Sequence, residues 1–257
     1  GVNKDPKMVT DLNKGIPPVF EPGLPELLIS NISLRRLSYT TDLRQAVKGS
    51  KYVMITFDTP VNEQDEVDLS EIFATSSELA NYLENGTTVI VSSQVPVGTC
   101  EQIRSQIEQN NPSLDFDIAY SPENLRLGQA IQGFKNPERI IIGADSPSTL
   151  DKVEEFFAPI STPKLRMNLR TAEMTKHTLN AFLGMCISFM NEVANLCDEL
   201  GADALKVADA LRTDERIGPK APLRPGLGFA GGTLARDLKI LQNLGSKSHY
   251  ETHLVDA

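Results

Sequence analysis

Thr87-Thr88-Val89-Ile90-Val91-Ser92 runs directly into Ser93-Gln94-Val95-Pro96-Val97-Gly98-Thr99, and a helical stretch follows over Cys100–Gln109. The first run is short, rich in β-branched residues and without strict alternation, as expected of a parallel strand buried on both faces. The second is a polar turn stiffened by proline. The same phrase recurs at residues 52–57 (Tyr-Val-Met-Ile-Thr-Phe), 116–121 (Phe-Asp-Ile-Ala-Tyr-Ser) and 139–144 (Arg-Ile-Ile-Ile-Gly-Ala). Helical stretches over Asp42–Lys48, Leu69–Leu83 and Ser148–Phe157 separate these runs. Strand alternating with helix predicts an α/β fold with a doubly wound, parallel, Rossmann-like sheet.

From about residue 171 the pattern changes. A long helix over Thr171–Leu200 precedes a second over Ala202–Leu211, then a Pro/Gly loop, then a third helix from about Leu234. Two domains are expected, 1–170 with the sheet and 171–257 all helical. The long helix is apolar nearly all round between residues 181 and 190, which suits a helix shared between domains or subunits. An ordinary core helix explains that run equally well.

Composition narrows the function classes. The chain has 257 residues, with 34 Asp and Glu against 25 Lys and Arg, a net charge of -9. That balance repels phosphate polyanions at long range, so nucleic-acid and anionic-membrane binding are not expected. An apolar fraction of 40% with 23% charged residues is that of a globular chain. Cys100, Cys186 and Cys197 are too few and too scattered for a disulfide framework or a zinc site, so no metal is expected and a reducing cytoplasm fits. No stretch reads as a signal peptide, and the run from Ala181 to Ile187, continuing through Phe189-Met190, is too short to cross a bilayer. Gly1 falls inside what reads as a strand-to-helix connection and Ala257 follows no stop signal, so a fragment is expected.

Ligands of open α/β sheets bind beyond the carboxyl ends of the strands. Those ends are Asp58-Thr59-Pro60, Ser93-Gln94-Val95-Pro96 and Ser121-Pro122-Glu123. Proline after a strand also simply stops the ladder, but three such turns in succession favour a site. Lys176 and Asn180 are four apart, hence on one face of the long helix, with Glu173 on the adjoining turn. A lysine and an amide pointing together can polarise a substrate oxygen or hold a water, as alcohol oxidation by hydride transfer requires. A solvated Lys-Asn pair is the plainer account. The loop Gly226-Leu-Gly-Phe-Ala-Gly-Gly-Thr-Leu-Ala-Arg-Asp237 has glycines that permit positive φ and amides able to cradle an anion, with Arg216, Lys220, Arg224 and Arg236 nearby. Together these point to a phosphate-bearing small molecule.

These residues resemble the UDP-glucose/GDP-mannose dehydrogenases, which oxidise a nucleotide sugar to its uronic acid using NAD. The resemblance runs over essentially the whole chain, through Asn13-Lys-Gly15, Glu21-Pro-Gly-Leu24, Thr41-Asp-Leu43, Asp58-Thr-Pro60, Val95-Pro-Val-Gly-Thr99, Ser121-Pro-Glu123 and Pro137-Glu-Arg139. It continues through Glu173-x-x-Lys176-x-x-x-Asn180, Asn191-Glu192, Arg216-Ile-Gly218 and the loop from Pro225 to Asp237. It implies that the family's first strand and Gly-x-Gly-x-x-Gly turn precede Gly1 and that a nucleotide-sugar domain follows Ala257. The sheet domain would then be incomplete at its N-terminus, and the helical domain would form a homodimer through residues 171–200.

Carried across residue by residue, the resemblance makes Glu123 the glutamate that helps hydrolyse a thioester. Lys176 and Asn180 become the pair that stabilises the substrate oxygen, and Asp237 the carboxylate near the catalytic water. Asn3, Thr59, Pro60, Gln94 and Arg236 fall at cofactor-binding positions. Leu125, Arg216, Gly226, Phe229 and Gly231 fall at substrate-binding ones, Arg216 reaching across the dimer. Departures from the family pattern are Thr233 at the nucleophilic cysteine, Arg236 for a lysine, Gln94 for a threonine, Leu127 for a glutamate, Cys186 for a lysine, and Asn3 for the aspartate that holds the adenosine ribose. A threonine hydroxyl is a weak nucleophile without a dedicated base, so the second oxidation is not expected. Two other readings compete. One is a non-catalytic homologue that binds nucleotide sugar or NAD as a regulator or assembly partner. The other is a hydroxyacid dehydrogenase with a Lys-x-x-x-Asn helix, against which the Glu-Pro-Gly-Leu and Arg-Ile-Gly matches speak.

Overall fold

The structure, a computed structural model, describes residues 1–62, 67–229 and 233–256. Along the chain run α1 (Pro6–Asn13), α2 (Leu24–Ser33), α3 (Leu43–Val47), β1 (Tyr52–Ile55), α4 (Ser70–Leu79), β2 (Thr87–Val91), α5 (Thr99–Asn110) and β3 (Phe116–Tyr120). There follow α6 (Ala130–Lys135), β4 (Ile140–Gly143), α7 (Pro147–Phe156), β5 (Lys164–Met167), α8 (Leu169–Leu200), α9 (Ala204–Thr213), α10 (Leu234–Lys247) and α11 (His253–Asp256). Two compact units emerge, one of residues 1–58 and 69–173, the other of residues 59–68 and 174–257.

The first unit is built on a sheet of order β1-β2-β3-β4-β5. Successive side chains of a strand point to opposite faces, and here both faces are apolar. Val89, Val91, Ile118, Tyr120 and Ile141 enter one core with Ile72 and Leu79 of α4 and Ile103 and Ile107 of α5. Ile90, Ala119, Ile140 and Ile142 enter the other with Val153 and Phe157. This two-sided burial is why the strands read as unbroken apolar runs. Val89, Ile90 and Val91 are fully buried, each such side chain contributing on the order of 1.5–3 kcal/mol.

β1, β2 and β3 are mutually parallel and β4 is parallel to β5, but β3 and β4 pair antiparallel through Tyr120 and Gly143. The expectation of a wholly parallel sheet is corrected at this one junction. A parallel return needs a crossover helix packed on the sheet. Between β3 and β4 the helix is α6, of six residues and none buried. Between β4 and β5 it is α7, which buries Thr149 and Val153.

Asp5, Asp42, Ser146 and Asp203 cap α1, α3, α7 and α9 with their own side chains. Helix α5 starts differently. Its N-cap is Gly98, at φ 93°, which offers no side chain. The α5 amides are met instead by Glu173, whose carboxylate accepts from Gly98 N at 2.6 Å and Cys100 N at 2.9 Å. Glu173 stands on the first turns of α8, which lie close against β4. A Cβ on Gly143 would overlap Cβ of Ala172 and stand 3.3 Å from the Asn168 carbonyl oxygen.

In the second unit the described residues from 174 onward form helices and loops. Cys186 and Met190 of α8 pack with Ala208 of α9 and with Leu223. Residues 59–68 contribute a bridge between Val61 and Val67 and a bond from Asp68 N to the Pro60 carbonyl at 2.8 Å.

Candidate active site

In the first unit, the three strand ends are tied to one another by the backbone. Ser92 N donates to the Ile55 carbonyl at 2.8 Å and Ser121 N to the Val91 carbonyl at 2.9 Å, while Ser92 Oγ donates to the Ser121 carbonyl at 2.8 Å. This carries the sheet's register into the turns that hold Gln94 and Glu123. Glu123 is exposed, and its carboxylate accepts from Leu125 N, which shapes the turn that presents both.

The rest of that loop is held from a distance. Glu21, buried, accepts from Gly128 N at 2.6 Å and Ile131 N at 3.3 Å. The Glu-Pro-Gly-Leu stretch thus supplies an anchor for the segment carrying Glu123 and Leu125. Asn3 lies beside the Val2–Thr40 bridge, and its Oδ1 accepts from Asp5 N at 2.9 Å.

In the second unit the structure gathers Lys176, Asn180 and Asp237, all buried. Asp237, in the first turn of α10, has both carboxylate oxygens engaged from α8. Asn180 Nδ2 donates to Oδ2 at 2.5 Å, and His177 Nδ1 stands 2.7 Å from Oδ1. The position at the start of a helix favours a carboxylate as well. Lys176 and Asn180 stand one turn apart on α8, and Asn180 reaches the Asp237 carboxylate. That arrangement can hold a developing negative charge on an oxygen and a water beside it.

Thr233 is the exposed N-cap residue of α10, one turn before Asp237, and its carbonyl accepts from Asp237 N at 3.2 Å. Arg236 Nη1 donates to the Thr59 carbonyl at 2.8 Å and lies 3.4 Å from Thr59 Oγ1. Thr59 is buried, and the Thr59-Pro60 turn is thereby fixed to α10. Phe229 lies against Gly184, whose missing Cβ would stand 3.4 Å from the ring. Gly226 N donates to Asn191 Oδ1 at 2.8 Å, so this amide serves the loop's own shape. Arg216 is exposed and paired with Asp214, Nε at 2.9 Å and Nη2 at 2.6 Å. Gly231 lies outside the described residues.

Glu173 stands apart from the cluster with which its spacing groups it. Its oxygens are committed to α5, and burial pushes its carboxyl above the usual carboxylate range against the pull of the two backbone amides. Burial, then the adjoining Glu173, holds the Cys100 thiol well above its usual value. Burial likewise raises the Cys186 thiol, so neither is set up as a thiolate nucleophile. His177 escapes sequence reasoning because position 177 is not on the 176/180 face. Its one signal is a spacing of three from Asn180. Among the described residues, no cluster of three or more His, Cys, Asp or Glu side chains is arranged to hold a metal ion.

This geometry coincides with matches to two family models. Residues 1–161 match the NAD binding domain of the UDP-glucose/GDP-mannose dehydrogenase family, and residues 170–257 match its central domain. The chain belongs to the UDP-glucose/GDP-mannose dehydrogenase family. It is 35% identical over 254 residues to the UDP-glucose 6-dehydrogenase TuaD of Bacillus subtilis (strain 168), covering 98% of this chain and 55% of that protein. It is 38% identical over 261 residues to the UDP-glucose 6-dehydrogenase of Rhizobium meliloti (strain 1021), covering 99% and 60%. Among solved structures, the UDP-glucose dehydrogenase of Pyrobaculum islandicum superposes with a TM-score of 0.90 at 32% identity, covering 98% of this chain and 59% of that one. The chain thus spans between half and two thirds of the length of these relatives.

Proposed function

We propose that the protein carrying this chain is an NAD-dependent nucleotide-sugar dehydrogenase that oxidises the sugar C6 hydroxyl of UDP-glucose or a related UDP- or GDP-sugar. The observation that carries this reading is the buried group of Lys176, Asn180 and Asp237. Lys176 and Asn180 hold the substrate oxygen, and their donors stabilise it as its bond to hydrogen weakens. The hydroxyl proton leaves to a water held against the Asp237 carboxylate. NAD, when bound, supplies the acceptor for the hydride. The donor set suits such a cofactor. Asn3, with its Oδ1 taken by Asp5 N, presents Nδ2 donors to a ribose. The Thr59-Pro60 turn is held rigid by Arg236, and Gln94 adds an amide at a strand end.

With Thr233 where the family places its nucleophile, the chain supplies a hydroxyl at the start of α10. Cys186 offers no substitute, since burial holds its thiol up. The oxidation therefore stops at the aldehyde, with Glu123 left without a thioester to hydrolyse. The test follows NADH production by the full-length protein with UDP-glucose, UDP-N-acetyl sugars and GDP-mannose, beside Thr233→Cys. The expected outcome is one NADH per sugar in the wild type and two in the variant. Two in the wild type would defeat the aldehyde-limited reading. A silent wild type beside an active Thr233→Cys would favour a nucleotide-sugar-binding or assembly protein.

Residues 1–170 then serve as the partial cofactor domain and residues 171–257 as the central domain. Homodimerisation through α8 fits the same reading. Phe182, Phe189 and Leu196 recur every seven residues along the helix and are each more than half exposed, which leaves an apolar stripe wanting a partner. Arg216 would serve the partner's substrate. Light scattering after size exclusion should give a dimer that Phe189→Asp converts to monomer. A cytoplasmic setting is supported by three free, buried cysteines. No helix among the described residues is long and apolar enough to cross a membrane.

A further inference from the structure

We infer that His177 is a positioning residue that orients the Asp237 carboxylate and, through it, the Asn180 amide. The inference rests on the reading of Lys176, Asn180 and Asp237 given above and adds a member that the Lys-x-x-x-Asn motif does not include. Both His177 and Asp237 are fully buried, and Nδ1 stands 2.7 Å from Oδ1. A buried carboxylate is costly unless each oxygen finds a donor, and here the two donors come from positions 177 and 180 of one helix. The inference commits to one tautomer, with Nδ1 carrying the hydrogen and Oδ1 accepting it.

The consequence is mechanical. The imidazole meets Oδ1 and the Asn180 amide meets Oδ2, so α8 sets the plane of the Asp237 carboxylate from both of its oxygens. The bond that Asn180 Nδ2 donates to Oδ2 then fixes which way the amide faces. Histidine at 177 thus serves the substrate oxygen without touching it.

Side-chain geometry gives the discriminating substitutions. Asparagine places its amide nitrogen where Nδ1 of histidine stands, glutamine places it nearer Nε2, and leucine keeps bulk without a donor. In the full-length protein, His177→Leu and His177→Gln should lower kcat about 10- to 100-fold while leaving KM for NAD within about 2-fold, and His177→Asn should restore kcat to within about 3-fold. Equal losses in the Leu and Asn variants would overturn the inference.

Two readouts are independent of turnover. Nitrogen NMR of the histidine-labelled chain, with His177 assigned by its absence from His177→Asn, should show hydrogen on Nδ1. A bare Nδ1 would overturn the inference, because the ring would then donate nothing to Oδ1. In denaturant unfolding, His177→Leu should shift the equilibrium about 10- to 100-fold less in an Asp237→Asn background than in the wild type. Equal shifts in both backgrounds would make His177 ordinary packing. If the wild type turns over no nucleotide sugar, the dehydrogenase reading fails by itself, and the pairing is then decided by the tautomer and the coupling.

Discussion

Glu173 and Asp237 are both fully buried carboxylates, and they are satisfied in opposite ways. Glu173 draws on two backbone amides at the start of α5. Asp237 draws on two side chains of α8. Backbone amides at a helix start are placed by the fold itself and would serve an acceptor of any sequence. Side-chain donors must be specified one by one, and they can be aimed. A carboxylate held by backbone joins elements, whereas one held by side chains orients those side chains in return.

The largest effect expected from this contrast is on rate. Asp237→Asn should lower kcat on the order of 1000-fold, while its unfolding free energy changes by no more than about 1–3 kcal/mol. A rate loss below about 10-fold would put Asp237 on the structural side of the comparison.

Glu173→Ala should do the reverse. It leaves the Gly98 and Cys100 amides without their acceptor, at a cost of about 2–6 kcal/mol in urea unfolding, because each orphaned donor costs about 1–3 kcal/mol. Turnover per folded molecule should stay within a few-fold. Acid sharpens this further. The Glu173 pKa is raised in the folded state, first by burial, so the folded protein holds that proton more tightly than the unfolded one. Its contribution to stability therefore rises as pH falls through the folded value toward the unfolded value of 4.5. Asp117 behaves oppositely. Burial pushes it up, but Lys152 and Thr149 outweigh that and set it below 3.8, so its contribution is lost as pH falls through that value. Unfolding curves at successive pH values should show the Glu173 slope disappear in Glu173→Gln and the Asp117 slope persist.

The smallest effect belongs to the surface. Arg170, three residues before Glu173, pairs with Glu101 through Nε and Nη2, both at 2.7 Å, with its side chain 68% exposed. Arg170→Ala should cost only about 0.2–1 kcal/mol. A loss as large as that of Glu173→Ala would mean that the α5–α8 junction depends on charge rather than on capping.

Much of the fold is legible in the sequence because two-sided burial leaves a plain trace. Residues 87–91 and 140–143 are apolar or β-branched throughout apart from the terminal glycine, and their strands lie where those runs predict. β5 is missed for the converse reason. Lys164-Leu-Arg-Met alternates charge with apolar residues and pairs only with β4, so it carries the signature of a half-exposed edge. The antiparallel junction escapes as well, because strand direction is written in the packing of the connection rather than in the strands. At the site, spacing brings Lys176 and Asn180 to one face but groups Glu173 with them, and only the position of α5 separates it. His177 is invisible until α10 arrives to give its ring a partner.

The anchor at Glu21 has a consequence for how the chain folds. It grips Gly128 across 107 positions of sequence. Closing so long a loop costs chain entropy before the contact repays it, and contacts of this range slow folding. The turn that presents Glu123 and Leu125 is shaped locally, but its anchorage depends on two distant stretches of chain meeting.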